Sequence, residues 1–387
     1  MSTRFALLPQ CGIACLYRNV FGTRLYFQSL AMTKRILIAP LDWGLGHATR
    51  CIPIIQSLVQ QGHTVYIASS GLALPLLQEE FPQLTFFTLP SYKARYGRRI
   101  PFMLKVFWQV PYFLRVIRQE HKQIEKLVRT YGIDLVIADN RYGCYSQQAK
   151  SIFITHQLNL QMPSALHGMQ GLINMVNHYL IRRFDACWVP DFPDHRLSGI
   201  LSQARNLPVS FMGVLSRFVK PNIKKEPDFD LLVLLSGPEP QRTLLEEIVL
   251  NQLRSYQGRV MLVRGLPGQH EMPTSLPTGV KVLNHAKAQQ LQSMIESSAC
   301  VLARSGYTTV MDLYVLEKRA IFIPTPGQTE QEYLAQQLMQ QGIAFSMPQK
   351  VFNLQEALTQ SRHYSGFQQA AVGKLYLEDL LQSIGKA

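Results

Sequence analysis

Cysteine and long apolar runs are both scarce in this 387-residue sequence. Its six cysteines include no CxxC pair, which argues against a disulfide scaffold or a structural zinc site and favours a reducing compartment. Residues 151–181 are uncharged but contain several Gln and Asn side chains. Their polarity would be costly in hydrocarbon, so no transmembrane helix is predicted. Arg18 and Arg24 interrupt the early apolar residues, so we expect no secretory signal and a cytoplasmic protein.

Acidic residues are scarce in the first half of the chain. The sequence carries 39 Lys and Arg against 25 Asp and Glu, and residues 221–387 hold 15 of each sign. The positive excess is densest in residues 93–129, where ten basic residues stand among large apolar ones such as Trp108. Basic groups beside aromatic rings suit an anionic membrane surface, which is the partner predicted for residues 93–129. A buried helix with a solvated basic rim is the alternative. Nucleic acid is not an expected partner, because no recognisable binding module accompanies the charge.

Strand and helix patterns alternate along two separate parts of the chain. The first part has predicted strands at 35–40, 64–69, 84–88, 135–138, 152–155 and 187–189, and a helix at 47–61. The second has predicted strands at 230–235, 260–263, 300–303, 320–323 and 344–346, and helices at 241–253, 286–297, 308–317 and 330–341. This alternation predicts the α/β fold class, with two Rossmann-like, doubly wound parallel-sheet domains and a cleft between them.

The domain boundaries follow from composition. Residues 1–31 precede the first clean strand, and we interpret them as a disordered extension or a misassigned start. Residues 216–229 are polar, contain two prolines and lack periodicity, which is typical of a linker. We therefore assign residues 32–215 to the first domain, 230–365 to the second, and 366–387 to a C-terminal helical tail.

The turn after the first strand carries the first candidate site residues. It contains Gly44, Gly46 and His47 and leads into a helix, so its backbone N–H groups and the positive end of the helix dipole face the cleft. It is neither a dinucleotide fingerprint, since Thr49 stands at the third glycine position, nor a P-loop, since GK[ST] is absent. The helix dipole favours a neutral imidazole at His47, which is then available as a general base. Asp139, after the fourth strand, is the alternative base, and a packing role is the alternative for the histidine.

Two further strand-to-helix turns carry polar residues. The first contains, in order, Arg304, Ser305, Gly306, Tyr307 and Thr308. Its glycine permits close backbone approach to a ligand and its hydroxyls can donate hydrogen bonds, while Arg304 either contacts the ligand or anchors the loop internally. One helical turn onward, Asp312 can accept the two hydroxyls of a ribose, and a solvated carboxylate that offsets the charge of the helix N-terminus is the alternative. The second turn, residues 324–333, begins a helix with polar groups that can bind sugar hydroxyls.

Taken together, the three helix N-termini predict a site for a diphosphate. No metal-ligand motif accompanies them, so no metal ion is expected. Asp228 and Asp230 have the spacing of a D-x-D metal motif. They lie where the linker meets a strand, and we interpret them as a domain boundary.

The second and third turns resemble the GT-B glycosyltransferases, and family 28 in particular. The resemblance is carried by residues 304–312, RSGYTTVMD, followed by residues 323–333, IPTPGQTEQEY. Shorter matches are Gly44-x-Gly46-His47 and, as an acceptor-side loop, His156-Gln157-x-Asn159. The resemblance covers about residues 33–350. It implies a GT-B fold in which the first domain binds the acceptor and the second binds a nucleotide sugar.

The same resemblance implies a donor site. Its members would be Gly44, Gly46, Ser236, Gly237, His285, Ala286, Arg304, Ser305, Gly306, Tyr307, Thr308, Asp312, Gln328, Gln331 and Glu332. Within this set, Asp312, where the family usually has a glutamate, would bind the ribose of uridine, and residues 285–286 would border the base. Backbone groups of residues 305–308 would hold the diphosphate, and Gln331 and Glu332 would contact hydroxyls of the donor sugar.

The implied activity is inverting, metal-independent transfer of a hexose or N-acetylhexosamine from a UDP-sugar to a hydroxyl acceptor. The acceptor would be lipid-linked or part of a cell-envelope glycan. The enzyme would work in the cytoplasm or at the inner face of the cytoplasmic membrane, with the UDP-sugar as co-substrate and no further cofactor. Three alternatives share the scaffold: a nucleotide-sugar hydrolase with the same GxGHxxR turn as residues 44–50, a UDP-sugar epimerase, and an inactive nucleotide-sugar-binding module.

Overall fold

The computed structural model describes residues 33–92, 109–204, 207–220, 226–266, 268, 271–273, 275–368, 377 and 379–381. The predicted extension at 1–31, residues 93–108 of the predicted membrane-binding segment and most of the predicted tail at 366–387 lie outside these residues. The strands of the described part form two sheets, one of seven strands and one of six. All named strand pairs are parallel, which confirms the predicted α/β fold class.

The first sheet is formed by strands between residues 35 and 211. They are β1 (Arg35–Pro40), β2 (Thr64–Ser69), β3 (Thr85–Thr88), β4 (Leu135–Asp139), β5 (Lys150–Ile154), β6 (Ala186–Val189) and β7 (Val209–Phe211). Their order across the sheet is β3-β2-β1-β4-β5-β6-β7. Every residue of β4 is buried, as its apolar run predicts for a parallel strand covered by helices on both faces.

Helices of the first lobe cover this sheet. They are α1 (Gly46–Gln60), α2 (Ala73–Glu80), α3 (Val110–Tyr131) and α4 (Gln170–Ile181), with short 3-10 helices at Ser164–Met169 and Gly199–Ser202. The ends of α3 follow from its sequence. Pro111 lies in the first turn, where a missing N–H costs no hydrogen bond, and Gly132 ends the helix with a φ of 60°. Ile124 and Val128 on the inner face of α3 pack in the same core cluster as residues of the sheet.

The second sheet has strands β8 (Leu231–Leu234), β9 (Val260–Val263), β10 (Val280–Leu283), β11 (Val301–Ala303), β12 (Ala320–Phe322) and β13 (Phe345–Ser346). Their order is β10-β9-β8-β11-β12-β13. The accompanying helices are α5 (Gln241–Leu253), α6 (Ala288–Glu296), α7 (Tyr307–Val315), α8 (Thr329–Gln340) and α9 (Leu354–Ser361), with a 3-10 helix at Gln349–Val351. None of the helices that the structure describes is both long and apolar enough to cross a membrane.

The strand order of each sheet reverses direction at one point. In the N-lobe, residues 33–220, the reversal lies between β1 and β4, and in the C-lobe, residues 226–368, it lies between β8 and β11. Loops that leave the carboxyl ends of such strands diverge and open a crevice for a ligand. The two lobes touch through α1 and α7, and one apolar cluster that includes Ala48 and Val310 continues across this contact. The carboxyl edges of both sheets therefore contribute to one candidate site.

Candidate active site

His47 and Asp139 meet at the reversal point of the N-lobe sheet. His47 is the second residue of α1, and Asp139 is the last residue of β4. The imidazole Nδ1 lies 3.0 Å from Asp139 Oδ2, and the carboxylate is fully buried while the imidazole stays partly exposed. An ionised carboxylate only accepts hydrogen bonds, so Nδ1 donates to Asp139, and in a neutral imidazole the lone pair is then on Nε2. The contact with Asp139 therefore selects the tautomer in which Nε2 can accept a proton.

Arg50 fixes the charge of Asp139. It lies three residues after His47 on α1, its Nε donates to Asp139 Oδ2 at 2.8 Å, and its Nη2 donates to Asp139 Oδ1. Burial alone would raise the pKa of Asp139, but the charges and hydrogen bonds of Arg50 and His47 hold it well below its usual range. Asp139 is thus an ionised carboxylate with both oxygens engaged. This geometry favours a role for Asp139 in orienting His47. It does not favour the role of general base, which the sequence left open as an alternative.

The N-terminus of α7 faces the N-terminus of α1 across the lobes. Thr308 Oγ1 donates to the carbonyl oxygen of Gly46 at 3.2 Å. A Cβ on Gly46 would lie 2.9 Å from that hydroxyl oxygen, so the close approach depends on glycine. Gly44, with a φ of 84°, shapes the preceding turn and is exposed. The sequence-predicted residues of the first and second turns are therefore brought together.

A second histidine joins the lobes beside this contact. His156 Nε2 lies 2.9 Å from Glu330 Oε1, and Gln157 donates to Glu330 Oε2. The His156 ring stacks on Tyr307 with centroids 4.0 Å apart, and the Tyr307 hydroxyl donates to the carbonyl oxygen of Pro190 at 2.6 Å. Burial lowers the pKa of His156. The loop that follows β5 in the N-lobe is thus hydrogen-bonded to the start of α8 in the C-lobe.

Asp312 lies on α7 at the level of the linker. Ser216 Oγ donates to its Oδ1 at 2.6 Å. Burial raises the pKa of Asp312 to about 6, although the nearby Arg217 and the hydrogen bond from Ser216 act in the opposite direction. The Arg217 Nε atom is buried and has no hydrogen-bond partner among the residues that the structure describes. The Arg217 guanidinium has an N–H without a hydrogen-bond acceptor among the described residues, and the Asp312 carboxylate beside it is shielded from water. A polar ligand could hydrogen-bond to both groups.

The residues predicted to border the base and the diphosphate lie at neighbouring loops of the C-lobe. His285 is exposed and Ala286 is buried in the loop after β10. Ser236 and Gly237 are exposed in the turn after β8, and a Cβ on Gly237 would lie 3.7 Å from Thr325 Oγ1. The β8 and β12 turns therefore face one another at the carboxyl edge of the sheet.

The Arg304 side chain is hydrogen-bonded within the C-lobe. Its Nη1 donates to the carbonyl oxygens of Ile323 and Pro324 at 2.9 and 3.1 Å, and its Nη2 donates to Gln241 O at 2.8 Å and to Gln349 Oε1 at 2.7 Å. The residue is 1% exposed. These four acceptors favour an internal anchor, the second of the two roles that the sequence left open, and the donor-site role of Arg304 stays a prediction.

The polar residues around the start of α8 are held by the backbone. Ser305 Oγ donates to the Gln331 carbonyl oxygen at 2.7 Å, and Gln331 Oε1 accepts the Thr325 N–H at 2.8 Å. Glu332 Oε1 accepts the N–H of Gly327 at 2.8 Å. The Gln331 Nε2 atom lies 3.9 Å from the position of a Cβ on Gly306, so this amide borders the turn that precedes α7.

Two further residues at the start of α8 have their own positions. Gln328 is the residue directly before the helix. Glu330, which the sequence analysis did not single out, is the carboxylate of this segment that reaches the N-lobe.

The described residues contain no group of three or more His, Cys, Asp or Glu side chains that could hold a metal ion. Asp230, part of the D-x-D spacing, accepts the Arg259 N–H at 2.7 Å and pairs with its guanidinium. This carboxylate joins the start of β8 to the chain before β9.

A cavity of about 930 Å³ lies in the N-lobe between α4 and the edge strand β7. Its polar lining includes Asn159, Asn174, His178, Arg182, His195 and Ser202. Asn159 follows His156 by three residues, so the same loop borders the cavity on one side and contacts Glu330 on the other. The described residues that line the cavity carry no carboxylate.

The comparisons with known proteins agree with this architecture. Residues 242–375 match the family model of the glycosyltransferase family 28 C-terminal domain. The UDP-N-acetylglucosamine--N-acetylmuramyl-(pentapeptide) pyrophosphoryl-undecaprenol N-acetylglucosamine transferase of Natranaerobius thermophilus is 22% identical over 331 residues, which cover 81% of this chain and 86% of the relative. An uncharacterized glycosyltransferase of Methanosarcina mazei is 22% identical over 327 residues, covering 70% of this chain and 85% of the relative.

Solved structures show the same fold. The glycotransferase of kitacinnamycin superposes with a TM-score of 0.62 at 15% identity, covering 91% of this chain and 98% of that chain. Residues 242–375 are thus similar to the glycosyltransferase family 28 C-terminal domain, and the chain as a whole has the fold of the GT-B glycosyltransferases.

Proposed function

We propose that this chain is an inverting, metal-independent glycosyltransferase that moves a hexose or N-acetylhexosamine from a UDP-sugar to a hydroxyl acceptor. One observation carries the proposal. His47 is oriented by Asp139 and Arg50 at the N-terminus of α1, and the N-terminus of α7 lies directly opposite. A proton acceptor and a set of backbone N–H groups for an anion are therefore present in one place.

In the proposed reaction, His47 Nε2 takes the proton of the acceptor hydroxyl. The acceptor oxygen attacks the anomeric carbon, the bond from that carbon to the diphosphate oxygen breaks, and its electron pair leaves with UDP. Negative charge grows on the diphosphate, and the N–H groups at the start of α7 stabilise it in place of a metal ion. By analogy with other oxyanion sites, each such donor contributes about 3–4 kcal/mol to the transition state.

The donor would lie along the carboxyl edge of the C-lobe sheet. We assign the diphosphate to the backbone of residues 305–308 and to the Ser236–Gly237 turn, and the ribose to Asp312 after displacement of Ser216. The base would lie at residues 285–286. Arg217 is added to this set, because its charge lowers the pKa of Asp312 and its buried Nε has no hydrogen-bond partner among the described residues.

The donor sugar would contact polar groups at the start of α8. We assign its hydroxyls to Gln328, Gln331 and Glu332. The side-chain amide oxygen of Gln331 accepts a backbone N–H and its nitrogen lies near Gly306, so this amide can bridge the turn and the sugar.

A lipid-linked or cell-envelope acceptor is proposed for the N-lobe. The relative from Natranaerobius thermophilus is named for transfer to a pyrophosphoryl-undecaprenol carrier. On α3, which covers part of the predicted segment 93–129, Arg115, Arg118 and Lys122 are exposed. This basic surface supports the proposal that the enzyme acts in the cytoplasm at the inner, anionic face of the membrane.

The central test uses His47→Ala with a UDP-sugar and a panel of hydroxyl acceptors. Turnover should fall at least about 100-fold, since a general base is lost, while UDP binding by calorimetry stays within about threefold of the wild type. Full residual turnover would remove His47 from the mechanism. The chain offers His363, a histidine of the C-lobe beyond α9, as a control site for the same substitution.

A nucleotide-sugar hydrolase is the second candidate, because residues 44–50 fit its GxGHxxR turn and the His47–Asp139 pair can activate water as readily as a sugar hydroxyl. UDP release without acceptor distinguishes the two. Transfer predicts slow release that an acceptor accelerates, and hydrolysis predicts rapid release that no acceptor changes.

A further inference from the structure

Helix α4 is oriented with its polar side toward the protein. Asn177 is buried, its Nδ2 donates to the Gln157 carbonyl oxygen at 3.0 Å, and its Oδ1 accepts the Tyr142 hydroxyl at 2.7 Å. Asn174 Oδ1 accepts the N–H of Leu160 at 2.7 Å. These bonds hold the loop after β5, so part of the inner face of α4 is polar, while Ile181 at its end packs in the core of the sheet.

The apolar side of the same helix points outward. Leu172, Met175, Val176 and Tyr179 are 54%, 61%, 46% and 62% exposed. Their spacing of three, four and seven residues places them in one stripe along the helix. Scattered apolar side chains are common on a protein surface, but a continuous stripe on a helix with a polar interior side indicates an apolar partner.

The charges next to this stripe in the sequence are mainly positive. Residues 156–184 contain no Asp or Glu, Arg182 and Arg183 follow directly after the helix, and Asp185 is the first acidic residue beyond them. Leu180 of α4 and Phe113 of α3 pack on the same small core cluster, so the basic outer face of α3 belongs to the same end of the N-lobe. Two copies of this surface would repel one another, whereas an anionic bilayer complements it.

We propose that α4 lies on an anionic lipid bilayer, with Leu172, Met175, Val176 and Tyr179 inserted at the boundary between headgroups and acyl chains. Tyr179 suits this depth because its ring is apolar and its hydroxyl polar. The inference rests on the proposed membrane-proximal function and deepens it. Helix α4 would be a second membrane-contact element beside residues 93–129. The cavity, which shares Met175 with the stripe, would then lie next to the lipid surface.

The test is sedimentation of the full chain with vesicles of phosphatidylcholine containing 30% phosphatidylglycerol, and with vesicles of phosphatidylcholine alone. The paired substitution Leu172→Glu and Val176→Glu should lower the partition coefficient on anionic vesicles at least about tenfold, because it replaces inserted apolar groups by carboxylates. The matched control, Leu72→Glu with Val351→Glu, alters two similarly exposed apolar side chains elsewhere and adds the same charge. It should change partition less than about threefold.

Two further measurements separate the possible outcomes. UDP release from a UDP-sugar should be the same in both paired variants, which shows that the fold is intact and tests the chemistry independently of lipid binding. Light scattering coupled to size exclusion reports the oligomeric state. Equal vesicle binding by both paired variants would overturn the proposal, and loss of a dimer in the α4 variant alone, with vesicle binding unchanged, would assign the stripe to a second copy of the chain.

Discussion

Replacing Asp139 by Asn tests the buried pair on which the proposed base depends. The substitution removes the negative charge that Arg50 and His47 share, and leaves the guanidinium of Arg50, which is 2% exposed, without its counter-ion. Loss of one partner from a buried ion pair costs about 3–5 kcal/mol of unfolding free energy. Because His47 also loses the group that fixes its tautomer, turnover should fall about 100- to 10,000-fold, on the scale of other carboxylate–histidine pairs.

The two effects can be separated with a second substitution. Adding Arg50→Met removes the unpaired buried charge, so urea denaturation should recover much of the lost unfolding free energy, while the low turnover persists. The pH dependence adds an independent check. The pKa of Asp139 is lowered by folding, so its stabilisation is full above its ordinary pKa of about 3.9 and is lost as the pH falls through the folded-state value. Asp139→Asn should therefore show a flatter loss of stability in acid. Wild-type stability and activity in this variant would exclude Asp139 as the counter-ion of Arg50 and the partner that orients His47.

Two further predictions concern the C-lobe. Burial raises the pKa of Asp312 to about 6, so the wild type should gain stability as the pH falls from 7 toward 4. Asp312→Asn should lack that gain, and its free energy of unfolding at pH 7, measured by urea denaturation, should be about 1–3 kcal/mol higher than that of the wild type. Calorimetry should show weaker UDP binding by this variant, and unchanged UDP affinity would contradict the ribose assignment. Glu330→Gln should lower kcat/KM about tenfold, because it removes a charge-assisted bond to His156 across the lobes. Glu247→Gln, on the exposed side of α5, is the matched control, and equal values for the two variants would exclude a role for the bridge.

Most of the fold follows from sequence patterns. Central strands such as β4 are continuous apolar runs, because they are covered on both faces, and such runs are easily recognised. The two strands that the patterns did not predict, β7 (Val209–Phe211) and β10 (Val280–Leu283), lie at sheet edges. Neither is a continuous run of buried residues, since Ser210 is partly exposed and Lys281 is exposed. An edge strand has less apolar burial to encode, so its pattern is weaker.

The candidate site was predictable where its residues are close in sequence. His47 and Arg50 share one face of α1 because they are three residues apart, and that spacing is readable in the chain. The bridge between His156 and Glu330 joins residues 174 positions apart, and nothing in either local segment specifies it. Arg304 shows the same limit, because only tertiary acceptors decide between a ligand contact and an internal anchor.

The central claim is that backbone N–H groups at facing helix ends hold a diphosphate without a metal ion. The most direct measurement is calorimetric titration of the wild-type chain with UDP and with uridine, both in the presence of EDTA. UDP should bind at least about 100-fold more tightly than uridine, a difference of about 2.7 kcal/mol supplied by the diphosphate. Equal affinities for the two ligands, or UDP binding that appears only when Mg²⁺ replaces EDTA, would contradict it.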